Sequence, residues 1–111
     1  MGNSIERGKH TRIEVTWHAI VLDDEGTEGE ARNISVTGMF IRCREPLRIN
    51  ELYRFSLRPP AHHPIELNGK VIWSNLDDVG GGETAYGMGL CFEIPDEDRH
   101  FLTDIISAYQ G

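Results

Sequence analysis

The sequence predicts an all-β fold, a six-stranded antiparallel β-barrel with one C-terminal α-helix. Short segments rich in Val, Ile, Thr and aromatic residues alternate apolar and polar side chains along most of the chain. Clusters of Gly, Pro, Asp and Asn separate them at short, regular spacing, the pattern of a small barrel. Only the last segment, from about residue 96, changes to a helical period. With 111 residues and 39% hydrophobic content, one domain with a modest core is expected.

Residues 12–22 (RIEVTWHAIVL) place Ile13, Val15, Trp17 and Ala19 on one face by alternation and read as the first strand. A polar tip at 23–27 leads into two strands at 28–34 and 37–44, joined around Ser35 to Gly38 and ended by Glu45 and Pro46. Residues 51–58 (ELYRFSLR) set Tyr53, Phe55 and Leu57 against Leu52, Arg54 and Ser56, which makes a fourth strand. Pro59, Pro60 and Pro64 remove three backbone donors, so 59–64 is an exposed connection. Strands at 65–74 and 85–94 complete the set, separated by a loop at 75–84 whose three glycines should make it mobile. Asp96 suits a helix N-cap, with Glu97 and Asp98 in the first turn. Phe101, Leu102, Ile105, Ile106 and Tyr109 then form one apolar stripe. Trp17 and Trp73 are in phase with aliphatic strand neighbours and read as core, as do Cys43 and Cys91, which do not form a Cys-x-x-Cys motif.

The formal charge of −7 argues against DNA or RNA as a partner, because nucleic-acid binding needs a broad basic surface. Locally the balance reverses: the first dozen residues hold Arg7, Lys9, His10 and Arg12 against Glu6, enough to attract an anion within a Debye length of roughly 8–10 Å. Neither a membrane-spanning apolar run nor a secretory leader is present, so a cytoplasmic protein without membrane insertion is expected. Catalysis is not expected. His62 and His63 are adjacent in a Pro-rich loop, where their side chains diverge. No Ser or Cys lies in a nucleophile turn, and Gly80 to Gly82 lacks the ending of a phosphate-binding loop. The sequence thus implies no metal, no cofactor and no catalytic residue.

The most informative stretch is Asn33-Ile-Ser-Val-Thr-Gly38. On an extended backbone Asn33 and Ser35 point to the same side, and Gly38 permits a positive-φ turn or the close approach of a ligand or a neighbouring backbone. The same residues also suit a bulged hairpin in which Asn33 and Ser35 bond only backbone. The spacing matches the Asn/Asp-x-Ser-x-x-Gly motif of the PilZ domain family, which the chain resembles from about residue 6 to about residue 109. Arg12 matches the second position of the family's Arg-x-x-x-Arg pair, and Gly8 stands where the first arginine would be, with Arg7 one residue earlier. Gly69-Lys-Val-Ile-Trp73 and Tyr86-Gly-Met-Gly-Leu-Cys-Phe92 look like the family's last two strands, and the tail from Asp96 like its closing helix.

The resemblance implies a PilZ-like barrel over 12–111 behind a flexible basic segment at 1–11. It also implies a noncatalytic receptor for the bacterial second messenger cyclic di-GMP that signals to a downstream protein. Arg7, Lys9 and Arg12 would clamp the dinucleotide, and Asn33, Ser35 and Gly38 would line the barrel beneath it. An arginine fork suits this ligand because it bonds phosphate bidentately, bonds a guanine edge, or stacks on a base. The alternative is a PilZ-like protein-interaction module that has lost nucleotide binding through Gly8.

Overall fold

The computed structural model describes residues 12–23, 27–80 and 83–110. Six antiparallel strands close into a barrel in the order β1-β2-β3-β6-β5-β4. They are β1 (Ile13–Val21), β2 (Glu28–Ile34), β3 (Gly38–Cys43), β4 (Leu52–Arg58), β5 (Ile65–Gly80) and β6 (Glu83–Phe92). A 3-10 turn at Asp96–Asp98 leads into one helix, α1 (Arg99–Gln110). Closure comes from β1 pairing with β4, His18 opposite Arg58 through Val21 opposite Phe55. No strand within the barrel wall is then left with an open edge.

Alternation along each strand sends one set of side chains inward. Ile34, Met39, Ile41, Phe55, Leu57, Val71, Met88 and Phe92 fill the interior, each nearly or fully buried. The helix seals the barrel through Leu102, Ile105 and Ile106, which are buried, while Phe101 at the edge of the stripe is 37% exposed. Polar contacts fasten the same helix. Arg99 donates to the carbonyls of Val36 (2.7 Å) and Ile94 (3.3 Å). Tyr109 sets its ring edge-on to Trp17 with centroids 5.2 Å apart, and its hydroxyl donates to the Pro60 carbonyl.

Two expectations from composition are corrected. The 75–84 segment is largely strand, because β5 and β6 stay paired through Asn75 opposite Gly87, Asp77 opposite Ala85 and Gly80 opposite Glu83. A ladder needs only backbone N–H and C=O groups, so a run of polar composition can pair as an apolar one does. The tip at 81–82, where mobility was expected, lies outside the described residues. The cysteines also differ from one another: Cys43 is buried as expected, whereas Cys91 points outward and is exposed. Burial pushes the Cys43 thiol up to about 11.

Two measurements follow from this packing. Leu102→Ala is expected to lower the unfolding free energy by about 3 kcal/mol in a urea titration, the cost of emptying a fully buried leucine site, and the half-exposed Phe101→Ala to cost clearly less. With a thiol reagent near pH 8, folded protein should label at Cys91 and spare Cys43, which stays protonated and covered until the chain unfolds.

Candidate functional site

Two bulges decide what faces outward on one side of the barrel. Between Ala31 and Asn33, β2 advances two residues while β3 advances one, from Ile41 to Phe40, so Arg32 is extra. Between Val71 and Trp73, β5 likewise advances two residues against one on β6, and Ile72 is extra. An added residue reverses the inside–outside phase of everything after it. Asn33 and Trp73, each following a bulge, come into one cross-strand row: Asn33 opposite Phe40, Phe40 opposite Gly89, and Gly89 opposite Trp73.

This row is the floor of an open groove of about 310 Å³ lined by Arg12, Asn33, Phe40, Ile72, Trp73 and Gly89 among others. At one end the Arg12 guanidinium donates to Asn33 Oδ1 at 2.7 Å. The amide oxygen is thereby used, and the Asn33 NH₂ keeps its donors. At the other end Phe40 and Trp73 stack, with centroids 5.6 Å apart and planes inclined by 29°. Trp73 remains 42% exposed. A cation, an amide and a bare aromatic face thus border one concavity, which suits a planar, anionic ligand.

The remaining motif residues lie beneath the groove. Ser35 is fully buried, because β2 ends at Ile34 and the alternation that would have turned it outward ends there too. Its hydroxyl accepts from the Thr37 backbone N–H at 3.2 Å and lies 3.0 Å from the Thr37 hydroxyl, while its own N–H donates to the Gly38 carbonyl at 2.8 Å. Gly38 has no room for a side chain: an added β-carbon would sit 2.0 Å from the Leu90 carbonyl oxygen on β6. Close approach of a neighbouring backbone, and not a positive φ, calls for glycine here. Arg7 and Lys9 lie outside the described residues. The structure therefore brings Arg12 and Asn33 together at the surface and sets Ser35 and Gly38 in the turn that holds them.

Sequence reasoning missed the aromatic half of the groove. Alternation predicts Trp73 for the core, and the bulge at Ile72 reverses that phase. Gly87 and Gly89, two residues apart on one strand, were a readable sign of a gap that an aromatic neighbour could fill. A second groove, of about 380 Å³ between the 59–64 connection and α1, is lined by His62, Ile65, Glu66, Phe101 and Asp104. Its acidic lining suits an anion poorly. Among the described residues no cluster of His, Cys, Asp or Glu could hold a metal ion, and no helix is long and apolar enough to cross a membrane.

Solved structures with the same architecture were found. The PilZ domain, with c-di-GMP, of YcgR from Escherichia coli superposes with a TM-score of 0.74 at 13% identity, covering 90% of this chain and 88% of that one. Bacillus subtilis MotI, an inhibitor of motility, gives 0.71 at 19% identity over 92% of this chain and 50% of its own. K. pneumonia MrkH in its apo state gives 0.74 at 17% identity over 89% and 48%. The chain spans about half the length of MotI and MrkH. At these identities the likeness concerns the fold. No curated protein matches significantly. The PilZ domain family model, in contrast, matches residues 6–108, nearly the whole chain, and the protein belongs to that family.

Proposed function

We propose that this PilZ domain is a noncatalytic receptor for cyclic di-GMP, acting in the bacterial cytoplasm and passing the signal to a downstream protein. The observation that carries the reading is the Arg12–Asn33 pair set at 2.7 Å beside the exposed Trp73 face in one groove. The ligand offers two phosphates and two guanines. Arg12 suits a phosphate or the O6/N7 edge of guanine, the free Asn33 amide protons suit an acceptor on either, and a base stacks on Trp73. Arg7 and Lys9 supply further cationic contacts from the N-terminal side. Ser35 and Gly38 contribute by fixing the turn that follows Asn33. The c-di-GMP held by the similar YcgR domain supports the choice of ligand.

Gly8 favours a second reading, a PilZ module that works through protein contacts alone, since it stands where the first motif arginine is expected. Calorimetric titration separates the two. Micromolar binding of cyclic di-GMP, roughly −8 kcal/mol, is expected, with no comparable binding of GTP and with affinity falling as salt is added. Absence of heat at millimolar ligand would leave the interaction module.

Side-chain removal should sort the site residues. Arg12→Ala and Asn33→Ala are each expected to weaken binding by roughly 1–3 kcal/mol without altering the unfolding midpoint. Ser35→Ala should lower both affinity and stability, because its hydroxyl serves the turn. Gly8→Arg is expected to tighten binding several-fold in the same titration, by restoring a planar donor and removing glycine's freedom. Unchanged affinity would show that Arg7 already fills that role.

A further inference from the structure

Gly89 lies in the middle of the groove's floor, with Phe40 on one neighbouring strand and Trp73 on the other. A β-carbon at position 89 would sit 2.2 Å from Trp73 Nε1, 2.6 Å from Cε2 and 2.9 Å from Cδ1. The indole therefore occupies the space that any side chain at 89 would take. The backbone there is not in the left-handed region, so space and not dihedral freedom calls for glycine.

Strand spacing explains why this matters. Adjacent strands lie about 4.8 Å apart, which puts the backbones at positions 40 and 73 roughly 10 Å from each other across β6. Their rings nonetheless approach to 5.6 Å between centroids. They can meet only by leaning over a residue that raises nothing between them. An alanine at 89 would lift the indole off the sheet, separate it from Phe40 and tilt its exposed face out of the groove.

We propose that Gly89 is a positioning residue of the ligand site: it seats Trp73 flat against β6 and so forms the floor on which a base stacks. It acts through Trp73 and needs no contact with the ligand. The proposal rests on the base-binding reading of the groove, but the seat itself is testable without ligand.

The chain has two tryptophans, so its ¹⁵N–¹H spectrum should show two indole N–H signals, assigned with Trp73→Phe. In Gly89→Ala the Trp73 signal should move as it leaves the Phe40 ring current, and the Trp17 signal, from the core, should stay. Cyclic di-GMP affinity should fall about tenfold, much as in Trp73→Ala, given the stacking worth of about 1–3 kcal/mol per base. The double variant Trp73→Ala/Gly89→Ala should lose no more than Trp73→Ala alone. An unmoved Trp73 signal, or an equal further loss in the double variant, would overturn the seat. Should Gly89→Ala fail to fold, the seat requires that adding Trp73→Ala restore folding by vacating the space, and failure of that rescue would overturn it. Lack of dinucleotide binding by the unaltered protein would remove the receptor reading and leave the indole signal to decide the seat.

Discussion

The cross-strand row Asn33, Phe40, Gly89, Trp73 is the constraint on which the groove depends. Closure of the sheet fixes the register of all six strands, since a slip of one residue would turn a strand's core set outward. Within that fixed register the two bulges add one residue each to β2 and β5 and so turn Asn33 and Trp73 to the outside. Interior packing is kept on both sides of the β2 bulge, where Ala31 and Ile34 remain buried, and up to the β5 bulge, where Val71 does. The bulges let two strands serve the core and the groove at once.

Polar and apolar parts of the groove are held by different devices. Arg12 is pinned by Asn33, and the turn after Asn33 is held from three directions: by Ser35 within the turn, by the Phe92 N–H donating to the Thr37 carbonyl at 2.8 Å, and by Arg99 of α1 on the Val36 carbonyl. The closing helix thus braces the motif turn as well as sealing the core. The aromatic part depends on a glycine's missing side chain. A net charge of −7 does not oppose an anionic ligand here, because a guanidinium at contact distance outweighs charges many ångströms away through salt water.

Most of the fold was legible in the sequence because alternation, Pro and Gly punctuation and the change to helical period each have a direct physical cause. The β5–β6 ribbon beyond the barrel was not, since the polar run Asn75 to Asp78 reads as a loop by composition although its backbone pairs. In the site, Arg12 and Asn33 were legible as residues, and their mutual bond was not. Ser35 and Gly38 were singled out by position, but side-chain alternation fails where a strand ends, and so Ser35 turned inward. Trp73 reads as core for a related reason, and Cys91 by residue type alone, although it alternates with the buried Leu90 and Phe92. Phase read along one strand carries no information on a bulge set by its partner, and an outward cysteine has the composition of an inward one.

The proposed receptor site is one groove, floored by the Asn33–Trp73 row. Amide and indole shift mapping during a titration with the dinucleotide tests it most directly. The expected result is a saturable set of shifts confined to Arg12, Asn33, Phe40, Gly89 and the Trp73 indole together with the residues before Arg12, with the groove between His62 and Phe101 silent. Shifts centred on the second groove, or no shifts at all at saturating ligand, would contradict the account.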